Sequence, residues 1–295
     1  MTTITLIGPG AIGLCAGAAL MDKGHEVTFA GRQGFDLVTV KTEEGVFRRH
    51  VAKAVIDGAA PPADWVLVCV KAHQTMGAAD AIRSAIGPAT RVAVLQNGVE
   101  HAERLAPILP GNVPVVPVVV DIPAGRLGRG EVLWRGRAGL LVQDTVDGRD
   151  FCTLFAGTFV TARTVDDLKT RMWRKLCVNA PSGAILCLTG RPMEVFHAPG
   201  IADLARAILR ECVAVAQADG ANLGDDVIEA QMQAFLDASP DETNSMFDDF
   251  IAGHETEWDA RNGVLVRKGA QHGVDVPVSR TLAPLLAALR REAIR

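Results

Sequence analysis

No C-x-x-C pair and no H-E-x-x-H or comparable ligand spacing occurs among the six cysteines and seven histidines of this 295-residue chain, so a metal centre has no anchor in the sequence. Cys15, Cys69, Cys152, Cys177, Cys187 and Cys212 are widely spread, several inside apolar runs such as Val66–Val70, and read as reduced core thiols. There is no basic tail or stripe. The formal net charge is -4, and because phosphate neutralisation needs clustered Lys and Arg, nucleic acid is excluded as an expected partner. No apolar run reaches membrane-spanning length and no basic leader precedes the first apolar stretch, so the expectation is a cytoplasmic chain without a membrane partner. What remains is a composition of 48% hydrophobic and 22% charged residues, that of an ordinary globular protein, at a length that favours two domains.

The first 120 or so residues alternate between β-branched runs and helix-like segments. Strands are expected at Ile4–Ile7, Val27–Phe29, Val66–Val70, Val92–Leu95 and Val113–Val120, and helices at Ala11–Lys23, Thr75–Ile86 and Glu100–Ile108. Such alternation implies βαβ units and a mostly parallel sheet with helices on both faces. Val38–Val55, with Glu43, Glu44 and Gly45 at its middle, reads as a polar hairpin inserted into that plan, and Glu131–Val142 as antiparallel strands at the far edge of the sheet. From Asp166 the pattern turns helical: Asp166–Ala180, Ile201–Gly220, Asp225–Phe235 and Asn244–His272. The expected fold class is therefore α/β, a Rossmann-type domain over residues 1–164 followed by an all-helical domain over 165–295.

Gly8-Pro9-Gly10-Ala11-Ile12-Gly13 matches G-x-G-x-x-G, directly after an expected strand and at the start of an apolar helix whose stripe runs Ile12, Ala16, Ala19 and Leu20. In that setting the first glycine allows the tight turn, the second lets backbone approach a pyrophosphate, and the third permits close helix–strand packing. The diphosphate then meets unpaired N–H groups at the positive end of the helix. The motif alone is weak; the strand before it, the helix after it and a second strand beyond Gly24 make dinucleotide binding the expectation. That second strand ends in Gly31-Arg32-Gln33, with no carboxylate before Asp36. An acid there would repel a 2′-phosphate, whereas Arg32 attracts it through a fork of donors, so the expected cofactor is NADPH/NADP+. The plainer alternative for Arg32 is a solvated surface side chain. Lys71 and Asn97 follow two further strands, at the ends where open α/β sheets hold ligands, though each is equally well a turn residue.

Leu168, Met172, Lys175 and Asn179 share one face of the helix that begins near Asp166, which sets a Lys and an Asn on an apolar stripe. A Lys whose stem packs while its ammonium reaches water is the ordinary explanation. Phe250, Glu257 and Val264, seven apart, place a carboxylate between apolar neighbours, and a buried carboxylate needs a partner. Lys175 and Glu257 could satisfy one another beside a substrate.

With these residues in view, the chain resembles the ketopantoate reductase family, the NADPH-dependent enzymes that make pantoate on the route to coenzyme A. The resemblance spans nearly the whole chain and rests on Gly8–Gly13, Val70-Lys71-Ala72, Leu95–Gly98, Trp173-Arg-Lys-Leu-Cys-Val-Asn179, Asn244-Ser-Met246, Glu255–Gly263 and Ala270–Pro277. It implies that Lys175 is the general acid and Glu257 its partner acid, that Asn97 touches both cofactor and substrate, and that Lys71 and Arg32 hold cofactor. It implies further that Asn179 and Ser245 hold substrate, a small 2-oxo acid. Helical second domains in such enzymes often mediate pairing, which leaves a homodimer open.

The chain departs from that pattern. Gly183 stands where a second Asn is common, four residues after Asn179; Met193 replaces a further substrate-side Asn; and His73 stands where an aromatic is frequent. Two lost amides remove hydrogen bonds that would hold a small polar acid, and sites built on polar contacts discriminate through them. A same-family reductase of a different oxo acid or ketone is thus the main alternative. Behind it stand a non-catalytic NADP(H)-binding sensor, which needs neither Lys175 nor Glu257, and a 3-hydroxy acid or sugar-acid dehydrogenase, against which Thr256–Gly263 argues.

Overall fold

A computed structural model describes residues 1–56 and 60–289. Two compact units divide the chain, one of residues 1–97 and 101–168 and the other of residues 98–100 and 169 onward. Residues 98–100 therefore belong with the helices, which a single division at Thr164 does not anticipate.

In the first unit the order is β1 (Thr3–Ile7), α1 (Ala11–Asp22), β2 (Glu26–Gly31), β3 (Leu37–Thr42), β4 (Gly45–Val51), β5 (Lys53–Ile56), β6 (Ala63–Val68), α2 (Ala79–Ser84), β7 (Ile86–Val94), α3 (His101–Leu105) and β8 (Val115–Pro117). It continues with β9 (Val119–Asp121), β10 (Ala124–Gly128), β11 (Glu131–Trp134), β12 (Gly139–Gln143), α4 (Val146–Phe155) and β13 (Thr161–Val165). Six strands make one sheet in the order β5-β2-β1-β6-β7-β8, every pair parallel. Renumbered by their own chain order, these strands run 3-2-1-4-5-6, the doubly wound arrangement whose direction of winding reverses between β1 and β6. Ile4, Leu6, Val66, Leu67, Val68 and Val92–Val94 are buried, as strands covered on both faces require.

The hairpin forms as β3 and β4, antiparallel around Glu43 and Glu44. Its last residues do something else: Lys53–Ile56 join the main sheet as its edge strand beside β2. The expectation for Glu131–Val142 needs correction. β11 pairs with β10 and, in parallel, with β3 in a separate four-stranded sheet, while β12 joins β9 and β13 in a three-stranded one. α1 packs against β1 and β2 on one side and β3, β10 and β11 on the other. That is why Gly13–Leu20 are all buried and the helix shows no single apolar stripe. Between β6 and β7, Thr75–Ile86 is not one helix. Two 3-10 turns at Ala72–Gln74 and Met76–Ala78 precede α2, since Gly77 weakens a helix interior and the Thr75 hydroxyl donates to the Ala72 carbonyl instead.

The second unit contains α5 (Leu168–Thr189), α6 (Ile201–Ala218), α7 (Asp226–Leu236), α8 (Ser245–Ile251), a π-helical segment (Asp259–Gly263), α9 (Val264–His272) and α10 (Pro277–Ala288). Trp173, Leu176, Ile185, Leu186, Phe196, Ile208, Leu209, Met232, Val264 and Leu265 lie in its core. Two helical expectations shift. α5 runs through Pro181 to Thr189 rather than stopping at Ala180, and the helix expected over Asn244–His272 is broken after Ile251. There Gly253 at φ +73 and the bonds from Gly253 and His254 N–H to the Phe250 and Asp249 carbonyls terminate α8. Phe250 and Glu257 thus sit on different elements, not on one stripe. Asp219 gathers this unit: its carboxylate accepts from Trp173 Nε1 at 3.0 Å and His272 Nε2 at 3.0 Å, with Lys268 Nζ at 3.3 Å.

Candidate active site

The glycine-rich turn leaves β1 at the point where the sheet reverses. Gly8 adopts φ +91, and a Cβ there would lie 2.6 Å from both Cγ1 and the backbone N of Val70, so only glycine lets this turn close on the chain leaving β6. A Cβ at Gly13 would meet the Gly8 carbonyl at 2.5 Å. Gly10 is different: nothing lies within 4 Å of its missing Cβ, so that face of the backbone is open. Gly10 also opens α1 without a side-chain cap and with no acidic residue in the first turn, so no side chain caps the first N–H groups of the helix. Pro9 packs its ring on the end of β2, where a Cβ at Gly31 would lie 2.7 Å from Pro9 Cδ. Ala11 and Ile12 are half-buried at the start of α1. An anion-accepting helix terminus with an open glycine in front of it fits a dinucleotide diphosphate.

Arg32 follows Gly31 and is exposed at the carboxyl end of β2. Lys71, half-buried, leads the first 3-10 turn after β6, and Asn97, half-buried, ends the first unit beyond β7. Gln96 ties these two strand ends together, its buried amide donating to the Val70 carbonyl at 2.8 Å and to Thr75 Oγ1 at 2.9 Å. All these residues lie at carboxyl ends of parallel strands, where such sheets hold ligands.

In the second unit, Lys175 and Asn179 are four apart on α5 and half-buried, with Gly183 one turn further along the same face. Pro181 interrupts the hydrogen bonding of this helix. Two side chains bond carbonyls beside it: Ser182 Oγ donates to the Val178 carbonyl at 2.7 Å, and Asn262 Nδ2 of a fully buried residue donates to the Ala180 carbonyl at 2.9 Å. Asn262 belongs to the π-helical segment, so that irregular turn docks on the proline-bearing stretch of α5.

Glu257 leads into the same segment and is only 5% exposed. One turn on, Arg261 is 1% exposed, with Nη2 at 4.0 Å from Glu257 Oε2. The same Nη2 donates to Ser245 Oγ at 2.7 Å. Ser245 is an exposed residue at the start of α8, whose N-cap is Asn244, with Oδ1 accepting from the Met246 and Phe247 N–H groups at 3.0 and 3.1 Å. Burial lowers the pKa of Arg261, and the charges of Glu257 and Asp249 act in the opposite direction. Gly183 faces this group: a Cβ there would lie 2.9 Å from Met246 Sδ and 3.6 Å from Arg261 Cδ. Met193 is buried in the helical core, its N–H donating to the Glu242 carbonyl at 3.0 Å. Position 193 here supplies apolar packing, not an amide.

The expected residues thus fall into groups: the glycine turn with Arg32, Lys71 and Asn97 at strand ends in the first unit, and, in the second, Lys175 and Asn179 on one face of α5 and Ser245 bonded to Arg261, with Glu257 4.0 Å from the same guanidinium. Sequence reasoning gave no role to Gly31, Gln96, Asn262 or Arg261. Asn262 and Arg261 sit inside the Glu255–Gly263 stretch, and an arginine four residues after a glutamate is the signal that could have marked Arg261. Burial pushes the Cys15 and Cys187 thiols up to about 12, which disfavours a thiolate nucleophile at either. No group of three or more His, Cys, Asp or Glu able to hold a metal ion occurs among the described residues, and no helix there is long and apolar enough to cross a membrane.

Comparison with known proteins agrees at both ends of the chain. Residues 4–146 match the family described as Ketopantoate reductase PanE/ApbA, and residues 167–290 match Ketopantoate reductase PanE/ApbA C terminal. The 2-dehydropantoate 2-reductase of Caulobacter vibrioides is 39% identical over 98% of this chain and 99% of its own. That of Mycobacterium tuberculosis is 37% identical over 97% of each. A crystal structure of a PanE/ApbA family ketopantoate reductase from Ralstonia eutropha, 31% identical, superposes with a TM-score of 0.87 over 97% of this chain and 98% of that one. With both halves matched and relatives of this identity aligned end to end, the chain belongs to the ketopantoate reductase family of oxidoreductases.

Proposed function

We propose that this protein reduces 2-dehydropantoate (ketopantoate) to pantoate with NADPH. The observation that carries the reading is the buried Glu257 in the same compact unit as α5, one face of which presents Lys175 and Asn179, in a chain of this family. The Gly8–Gly13 turn, Arg32 and Lys71 would hold the dinucleotide, Arg32 through its 2′-phosphate and the N-terminus of α1 through its diphosphate. Bound NADPH supplies a hydride to the carbonyl carbon of the 2-oxo acid. As negative charge grows on the carbonyl oxygen, Lys175 stabilises it and hands over the proton. Glu257 orients Lys175 or grips a substrate hydroxyl, and Asn97, Asn179 and Ser245 position the acid.

The test is NADPH oxidation, followed by nicotinamide absorbance, with ketopantoate and a panel of other 2-oxo acids. Ketopantoate should give the highest kcat/KM in the panel. A different acid preferred by an order of magnitude or more would replace the substrate and keep the chemistry. That second reading is favoured by Gly183 and Met193, which leave the helical unit two amides short of the family pattern. NADPH binding with no turnover on any carbonyl would instead make the chain a sensor. We also propose a cytoplasmic location, supported by six unpaired cysteines, and self-association as a homodimer, to be read from the mass in solution.

A further inference from the structure

Arg261 is a costly residue to keep. Its guanidinium is 1% exposed, yet Nε and Nη1 have no hydrogen-bond acceptor among the described residues, and only Nη2 is engaged. A buried cation held purely for packing would have its donors satisfied or be replaced by an apolar side chain of similar volume. The site is also shaped around it. Arg261 Cδ and Nη1 pass 3.6 and 3.7 Å from where a Cβ of residue 183 would sit, and Met246 Sδ lies 2.9 Å from that point. Any longer side chain at 183, the family's usual Asn included, would have to displace Met246 and crowd the guanidinium. Gly183 and Arg261 are therefore neighbours: a Cβ at 183 would touch the arginine at ordinary van der Waals distance, and it is Met246 that would have to shift.

We propose that Arg261 is a positioning residue for the carboxylate of the substrate, acting through Ser245. A serine hydroxyl has two lone pairs and one hydrogen. Because Arg261 Nη2 donates into Oγ at 2.7 Å, the hydroxyl hydrogen must point away from the guanidinium. Ser245 is an exposed residue, so in the proposed role its hydroxyl hydrogen serves as a donor to a bound acid, with the buried guanidinium behind it. A donor backed by a cation selects an anion, and a carboxylate oxygen is the anion a 2-oxo acid brings. Glu257, 4.0 Å from the same nitrogen, and Asp249 both offset this charge, so what favours an anion here is the short Nη2–Oγ contact itself. The inference rests on the proposed reduction of a 2-oxo acid and adds the means by which this chain, short of two amides, recognises the acid group.

The test is a double-mutant cycle of Arg261→Met and Ser245→Ala, with Arg261→Lys alongside, read as kcat and KM for ketopantoate, KM for NADPH, and equilibrium binding of pantoate in the presence of NADP+. Arg261→Met should raise the ketopantoate KM and weaken pantoate binding by about 10–100-fold, the scale of a charge-assisted hydrogen bond, and leave the NADPH KM where it was. Ser245→Ala should cost about as much as Arg261→Met in the wild-type background and almost nothing in Arg261→Met, because the two act as one unit. Arg261→Lys, which keeps the charge without the fork, should fall between. If Arg261→Met does not fold, the cycle of Arg261→Lys with Ser245→Ala carries the same comparison. Additive effects, or a lowered thermal midpoint with an unchanged ketopantoate KM, would make Arg261 structural and overturn the inference alone. A wild-type protein that neither turns over nor binds any of these acids would overturn it together with the proposed function.

Discussion

Asn262 reaches from the π-helical segment to the Ala180 carbonyl, 2.9 Å away, with no exposure to solvent. That carbonyl is the one immediately before Pro181, where α5 is weakest, and α5 carries Lys175 and Asn179. Replacing Asn262 with Ala should cost about 1–3 kcal/mol, the usual penalty for removing one partner of a buried hydrogen bond. It should also lower kcat, because the segment that docks on α5 begins just after Glu257. Urea unfolding and turnover measured on one preparation check both, and a variant with wild-type stability would break the link between this bond and the helix.

The three glycines of the turn should respond differently. Gly8→Ala forces a Cβ to 2.6 Å from Val70 at φ +91 and should prevent soluble folding or lower the thermal midpoint sharply. Gly10→Ala meets nothing within 4 Å, at an ordinary φ of -82, so the fold should tolerate it with only the small cost of an alanine N-cap. Its effect should appear in NADPH affinity, weakened by about tenfold or more as the methyl group enters the path of the diphosphate. Thermal unfolding and fluorescence titration with NADPH separate the two. Equal damage to stability from both substitutions would mean the turn is built for packing alone.

Arg32 is assigned to the cofactor's extra phosphate. Arg32→Ala should raise the KM for NADPH by about 10–100-fold and leave the KM for NADH nearly unchanged, since a charge-assisted contact to phosphate is lost and nothing else. Parallel steady-state titrations with the two nucleotides check this. A matching loss with NADH would move Arg32 from phosphate recognition to general cofactor binding.

Acid should loosen the helical unit through Asp219. Burial alone would raise its pKa, but the hydrogen bonds from Trp173 and His272 and the charges of Lys268 and Lys169 outweigh it, and the carboxyl ends below its usual 3.8. A carboxylate depressed in the folded state stabilises above its unfolded pKa, and that stability fades as pH falls through the folded value. Denaturant unfolding should therefore show stability declining below about pH 4, the unfolded carboxylate range. Asp219→Asn should be less stable near neutrality and lose less on acidification; an identical pH slope in that variant would shift the acid sensitivity to other carboxylates.

Much of the first unit was legible because parallel strands are short apolar runs and the glycine motif has a fixed place between strand and helix. Thr3–Ile7 and Glu26–Gly31 cover the β-branched runs expected there, and Ala63–Val68 overlaps the run Val66–Val70 but starts three residues earlier and ends at Val68. Pairings over long sequence separation were not legible: nothing local says that β11 lies beside β3, residue 131 opposite residue 39. Helix ends failed for reasons of tertiary contact. Pro181 reads as a stop, yet Asn262 and Ser182 supply bonds to carbonyls around it. The seven-residue spacing of Phe250, Glu257 and Val264 reads as one stripe, yet Gly253 and a π-helical turn intervene. Lys175, Asn179 and Glu257 stood out as polar groups on apolar faces and took their expected roles, with Ser245, from the resemblance, whereas Arg261 needed coordinates, because its neighbour Gly183 is visible in sequence only as a missing amide.

Lys175 is proposed to supply the proton that completes carbonyl reduction. The direct measurement is the turnover of Lys175→Ala with ketopantoate at saturating NADPH, beside an NADPH binding titration of the same variant. Turnover should fall by roughly 10²–10⁴-fold while NADPH binding stays near wild type, as for a positioned general acid. Turnover within a few-fold of wild type would remove Lys175 from that role.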